Sequence, residues 1–135
     1  MSITVIKSNP APEPLLGDSI EDVAKWMERY VEDNNQATHV LFNYQLIVAK
    51  PGAYQEEILQ AYRSNSSTNN VEVFIVGWHK IQPKRPGDLY TLARRAAFTA
   101  LDGETPCCFE FDGTVVIVPP GATPKELMEA YRSVA

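Results

Sequence analysis

Apolar and polar residues follow two different periods along the chain, one typical of helices and the other of strands. The clearest helical period follows Ser19, a residue type that favours the N-cap position, and it stops at Asn34. Its apolar positions are Ile20, Val23, Ala24, Met27, Tyr30 and Val31. This segment therefore predicts an amphipathic helix with one face in a core.

The second half of the chain shows the same succession of patterns. A strand pattern over residues 71–78 precedes Asp88, a second N-cap candidate, and a helical stripe that stops at Gly103. The stripe consists of Leu89, Leu92, Ala93, Ala96 and Ala100. Residues 109–118 then contain Asp112-Gly113, a strong hairpin signal, and Asn43-Tyr44 occupies the equivalent turn of the first half.

A direct internal repeat explains why the two halves of the chain show the same succession of patterns. At an offset of 69 residues, residues 51–64 align with residues 120–133, and eight of the 14 positions are identical. Chance gives about one match at ordinary residue abundances. A polar run at residues 65–70 separates the copies. We predict one compact domain, residues 1–135, made of two repeats, residues 1–66 and residues 67–135, each folded as βαββα.

The fold class that follows is α+β, a tandem duplication with pseudo-twofold symmetry in which four helices pack on a mixed sheet of six strands. Residues 46–48 and 73–76 are apolar on both strand faces, which indicates cover on both sides of the sheet. Either the helices of the two repeats lie on opposite faces, or a second subunit covers the open face. A ferredoxin-like alternative, in which the first strand of repeat two completes repeat one, stays open.

Composition narrows the class of protein further. The chain has 135 residues, of which 44% are hydrophobic and 21% charged, as in one soluble globular domain. The longest apolar runs, residues 46–49 and 115–118, are far shorter than the roughly 20 residues of a membrane span. The N-terminus has no signal-peptide pattern. Adjacent Cys107 and Cys108 disfavour a disulfide, so we expect a cytoplasmic protein.

Catalytic motifs are missing from the sequence. The repeated Glu57 and Glu126 invite an acid and base interpretation, but three residues into a predicted helix they are explained as capping residues. Cys108 with His39 is a weak candidate for a nucleophile and its base, because no local signature accompanies the pair. Two cysteines and two histidines lack zinc-ligand spacing, so we expect neither a metal nor a cofactor.

Arg63 and Arg132 occupy equivalent positions in the two repeats. A cation at a helix C-terminus explains both, because it complements the helix dipole. The functional alternative is a contact with an anion or a partner, or a role at an interface between the two halves of the chain.

The connectors that follow the first strand differ most between the repeats. The connector of repeat two and the helix after it predict a basic cluster with an aromatic residue, a combination that holds phosphates and stacks on bases. A solvated charged face is the simpler interpretation. The candidate ligand-binding residues are Trp78, His79, Lys80, Lys84, Arg85, Arg94 and Arg95.

Charge and the missing motifs favour a binding protein over an enzyme. The net charge of −5 disfavours broad attraction to nucleic acid or anionic lipid. We predict a non-catalytic binding or assembly protein that acts through protein–protein contacts, and we expect a homo-oligomer. The alternatives are an anion or single-stranded nucleic-acid binder that uses the basic connector, and a small enzyme with a Cys/His site between the repeats.

Overall fold

The computed structural model describes residues 3–10, 19–76, 80–81 and 89–134. These residues form four helices and eight strands. In chain order the elements are β1 (Thr4–Lys7), β2 (Asn9–Pro10), α1 (Ile20–Asn34), β3 (Thr38–Phe42), β4 (Gln45–Ala49), α2 (Gln55–Ser64), β5 (Val71–Ile75), β6 (Lys80–Ile81), α3 (Leu89–Gly103), β7 (Cys107–Phe111), β8 (Thr114–Val118) and α4 (Pro124–Val134). The α+β class is therefore confirmed.

The chain divides into two compact units. The central unit is Ser8–Ile75, and the terminal unit combines Met1–Lys7 with Val76–Ala135. Each unit has its own sheet, in which three antiparallel strands are extended by one two-residue parallel strand. The strand order is β2-β3-β4-β5 in the central unit and β1-β8-β7-β6 in the terminal unit. Two sheets thus replace the single mixed sheet that the sequence predicted.

Helix α1 of the central unit forms where the sequence placed it. The Ser19 Oγ accepts a hydrogen bond from the Asp22 N–H at 3.2 Å, and Asn35 ends the helix in the left-handed conformation with φ 50°. The buried face of α1, which includes Met27 and Val31, packs with α2 and with Ile47 of the sheet. The N-cap and the buried face that the sequence predicted for α1 are therefore both present in the structure.

The hairpin turns also form at the predicted dipeptides. Asn43 and Tyr44 have φ values of 53° and 64°, and Asp112 and Gly113 have 49° and 71°. Positive φ at both central residues is the mark of the type I′ turn, whose twist matches that of the flanking strands. The prediction of both hairpins is confirmed, with Tyr44 standing where glycine is usual.

The strand partners differ from the arrangement predicted for each repeat. The strand expected to open repeat one, β1, pairs antiparallel with β8, so that Thr4 lies opposite Ile117. The strand expected to open repeat two, β5, pairs with β4, as the alternative arrangement required. An apolar pattern identifies a strand, but the identity of its neighbour depends on contacts that are distant in sequence.

Both faces of the hairpin strands are buried. In β4, Ile47 belongs to the core under the helices, whereas Leu46 points to the opposite face, and both are fully buried. Every residue of β8 is buried as well. The prediction of cover on both sides is confirmed for residues 46–48. Over residues 73–76 the cover is incomplete: Val76 is buried and Val73 and Phe74 are partly buried, but Ile75, at the end of an edge strand, is exposed.

Within the described ranges, no helix combines the length and the apolar character that a membrane span requires.

Candidate functional site

The solvent-facing side of α3 carries large apolar side chains. Phe98 is 68% exposed, Leu101 61% and Tyr90 53%. The opposite side of the helix, with Leu92 and Ala96, is buried in the core of the terminal unit. A helix of a globular protein normally directs its large apolar residues toward the core. Grouped exposed apolar residues instead mark interaction sites.

Two arginines lie among these apolar residues. The Arg94 guanidinium lies 5.8 Å from the centroid of the Tyr90 ring, within the range of a cation–π contact. Arg95 is exposed on the next position. We call the combined set the α3 surface; it consists of Tyr90, Thr91, Arg94, Arg95, Phe98 and Leu101. A shallow hollow of about 320 Å³ on this surface is lined by Thr91, Arg94, Arg95, Phe98 and Thr99.

Helix α1 provides an internal comparison, because it has the same 15 residues in length and aligns with α3 at the 69-residue offset. The positions of Phe98 and Leu101 are occupied in α1 by Arg29 and Glu32. The position of Tyr90 is occupied by Glu21. Apolar residues at these three positions are therefore not a requirement of this helix, and α1 instead exposes Trp26, at the position of Arg95.

The repeated arginines have different surroundings. Arg63 forms an exposed ion pair with Glu21, with Nη2 and Oε1 2.5 Å apart, so it joins α2 to α1 within the central unit. Tyr90 stands at the position of Glu21 in the terminal unit, and Arg132 has no ion pair among the residues that the structure describes. Arg132 instead borders a second hollow of about 490 Å³, together with Tyr90, Thr123, Pro124, Lys125, Met128 and Glu129.

The basic connector can be placed only in part. Trp78, His79, Lys84 and Arg85 lie outside the described residues, and Lys80 is described only as backbone of β6. Of the predicted cluster, the structure brings Arg94 and Arg95 together on the exposed side of α3.

Sequence reasoning missed Tyr90, Phe98 and Leu101 as surface residues. The signal was present, because these three fall between the positions of the core stripe Leu89, Leu92, Ala93, Ala96 and Ala100. Apolar residues out of phase with the buried stripe of an amphipathic helix must face solvent or a partner.

The cysteine and histidine candidates are buried. Cys108 is fully buried in the terminal unit. In the central unit, the His39 Nδ1 lies 2.7 Å from the Ser8 Oγ, and both residues are almost inaccessible to solvent. A nucleophilic thiol needs access and thiolate character. Across the described ranges, no group of three His, Cys, Asp or Glu residues is placed to hold a metal ion.

Cys107 provides a direct test of the thiol chemistry. Its Sγ donates a hydrogen bond to the Ala96 carbonyl at 3.2 Å, and burial raises the pKa of the thiol from 9.0 to about 11. At pH 7.5 we expect it to react with a thiol probe about 100-fold more slowly than in the unfolded chain. Because the folded state disfavours the thiolate, stability should fall as pH rises from about 9 toward 11. Rapid labelling of one thiol per native chain at neutral pH would restore the nucleophile hypothesis.

The repeated glutamates have separate roles. Glu126 forms the expected capping box, because its Oε1 accepts from the Thr123 N–H at 3.0 Å and the Thr123 Oγ1 accepts from the Glu126 N–H. The hydrogen bonds that the carboxylate accepts from the Thr123 N–H and the Thr123 hydroxyl lower the pKa of Glu126. The same interpretation is wrong for Glu57. Its N-cap residue is Tyr54, which makes no side-chain cap.

The Glu57 carboxylate instead holds the segment between α2 and β5. Its Oε2 accepts from the Thr68 hydroxyl at 2.6 Å and from the Asn70 N–H at 3.0 Å, and the side chain is buried. Each of the two carboxylates thus accepts structural hydrogen bonds within its own unit.

Comparisons of the chain with protein-family models, with curated proteins and with solved structures found no match.

Proposed function

We propose that this chain is a non-catalytic binding or assembly protein that acts through protein–protein contacts made by the α3 surface. The observation that carries the proposal is the exposure of Phe98, Leu101 and Tyr90 on the side of α3 that faces away from the core. Aromatic residues and arginine are the residue types enriched at the centres of protein interfaces. The adjacent cysteines support a reducing, cytoplasmic setting for these contacts.

The internal repeat supports the same proposal. We regard the two units as products of a tandem duplication of a βαββα segment, with the pseudo-twofold symmetry that such a duplication predicts. Support comes from the eight identities over residues 51–64 and 120–133 and from the matching order of strand types in the two sheets. A duplicated segment whose helix carries exposed apolar residues such as Phe98 and Leu101 in one copy, and Arg29 and Glu32 in the other, is consistent with a new contact acquired by one copy.

Binding of single-stranded nucleic acid is the second candidate, and the exposed pair Arg94 and Arg95 favours it. The net charge of −5 acts against it. The two candidates differ in their salt dependence. An oligonucleotide that quenches tryptophan fluorescence at low salt, and is released as salt rises, would support the nucleic-acid candidate.

Site-specific photocrosslinking tests the protein-binding proposal. A photoreactive phenylalanine analogue at position 98 should give a discrete protein adduct in the cells that encode the protein, because residue 98 lies at the centre of the α3 surface. The same analogue at position 29, the equivalent site on α1, is the matched control and should give none. Adding Arg94→Glu should reduce the adduct from position 98. Equal adducts from both positions, or none from position 98, would contradict the proposal.

A further inference from the structure

Part of the α3 surface has the spacing of a helix-pairing seam. Thr91, Arg94, Phe98 and Leu101 follow one another at intervals of three, four and three residues. This is the spacing of the a and d positions that face a partner helix in a coiled coil. The apolar members, Phe98 and Leu101, lie in the C-terminal half of the helix and are the most exposed large apolar residues of the described chain.

Charge is distributed unevenly along the same side of the helix. Arg94 and Arg95 lie in its middle, Asp102 lies in its last turn, and Glu104 follows the last helical residue, Gly103. All four side chains are exposed. The exposed side of α3 thus changes from basic to acidic along the helix axis, on either side of Phe98.

This distribution is complementary to itself only when two helices run in opposite directions. In an antiparallel pair centred between Thr99 and Ala100, Phe98 of each copy packs on Leu101 of the second copy. Arg95 then lies near Asp102 of the second copy. A parallel pair would set Arg94 against Arg94, and like charges at such close positions disfavour association.

The other basic residue fits the same register. Arg94 of one copy lies near the C-terminal end of α3 of the second copy, directly after which Glu104 follows, so each arginine has an acidic residue in its neighbourhood across the pair. Exposed ion pairs contribute little to affinity, but they determine orientation and partner choice. Helix α1 has Arg29 and Glu32 at the equivalent seam positions, so it offers no apolar layer for the same pairing.

We infer that the partner of the α3 surface is a second copy of this chain, bound through an antiparallel α3–α3 pair. The inference rests on the proposed function, which it deepens by naming the partner. The interface is isologous, so it closes as a dimer and does not extend into a filament. One helix face buries less area than the roughly 1,600 Å² of a standard interface, so the dimer is reversible, with a dissociation constant in the micromolar range or weaker.

Sedimentation of the full chain from about 1 µM to about 1 mM tests the dimer, a range that brackets the affinity expected for so small an interface. The 15.1 kDa monomer should convert to a species of twice that mass as concentration rises. Phe98→Ala should weaken the dimer by about tenfold or more, because it removes an apolar residue from both layers. Arg29→Ala, at the equivalent site on α1, should leave it unchanged.

A charge exchange tests the direction of the helices. Arg95→Glu alone places two acids together and should weaken the dimer, as should Asp102→Arg, which places two arginines together. The double variant restores opposite charges across the antiparallel pair and should recover the affinity of the original chain. It keeps the net charge of −5. Recovery requires contact between helices, because residues seven positions apart in one helix lie two turns from each other.

Three results would overturn the inference. They are a monomer at every concentration, a dimer that Phe98→Ala leaves intact, and a double variant that stays as weak as the single variants. The proposed function fails separately, when residue 98 gives no photocrosslink to any protein. A monomeric chain whose residue 98 crosslinks to a protein of another mass would retain the proposed function and exclude the second copy as partner.

Discussion

Replacing Phe109 with alanine is expected to lower the free energy of unfolding by about 3–5 kcal/mol, as for other buried aromatic residues. Phe109 lies on β7, is fully buried, and belongs to the core cluster of the terminal unit. The α3 face in that cluster is made of small residues, namely Ala93, Ala96, Ala97 and Ala100. Alanines have no side-chain freedom with which to fill the space that the ring vacates, so the cavity should persist.

Urea-induced unfolding followed by circular dichroism measures this loss. Phe98→Ala is the matched control, because it makes the same truncation on the solvent-facing side of α3 and should change stability by less than about 0.5 kcal/mol. If Phe109→Ala fails to fold, Phe109→Leu keeps most of the buried volume and should cost about 1–2 kcal/mol. Equal losses for Phe109→Ala and Phe98→Ala would show that the ring of Phe109 is not part of a packed core.

Glu57→Ala is expected to destabilise the chain by about 2 kcal/mol, because hydrogen bonds to a charged group contribute more than neutral ones. The substitution leaves the Asn70 N–H and the Thr68 hydroxyl without their acceptor. The other carboxylate oxygen, Oε1, is buried and has no hydrogen-bond partner among the described residues, and the cost of its desolvation offsets part of the stabilisation. For that reason we expect a value nearer 2 than 3 kcal/mol.

The consequence should extend to the edge of the central sheet. The segment held by Glu57 contains Ser67, whose Oγ accepts from the Val73 N–H, and Thr68, whose N–H donates to the Val71 carbonyl. These bonds occupy part of the free edge of β5, and an unprotected edge strand is a site for unwanted pairing. Glu57→Ala should therefore increase aggregation as well as lower stability.

Hydrogen exchange of residues 66–73, combined with urea unfolding, tests the role of Glu57. Exchange in this segment should rise in Glu57→Ala before the rest of the central unit is affected. Glu126→Ala removes the repeat-equivalent glutamate, which is exposed and caps its own helix, and should have the smaller effect. A larger loss from Glu126→Ala than from Glu57→Ala would contradict the different roles assigned to the two residues.

Several features were determined by the sequence alone. The ends of α1, the turns at Asn43-Tyr44 and Asp112-Gly113, and the capping role of Glu126 were all predicted where they occur. Each depends on residues within about four positions of one another, because capping and turn geometry are local properties of the backbone. Burial of residues 46–48 on both faces followed from their unbroken apolar pattern.

Only the tertiary structure decided which strands pair and which apolar residues stay outside. Strand β1 pairs with β8 and strand β5 pairs with β4. These pairings join residues that are far apart in the chain, and no local sequence pattern encodes the partner of a strand. The role of Glu57 depended on a loop that folds back over it, although its sequence position matches that of a capping residue. Phe98 and Leu101 are out of phase with the core stripe in the sequence, but only the tertiary structure shows that no other described element covers them, because burial depends on what packs against that face of the helix.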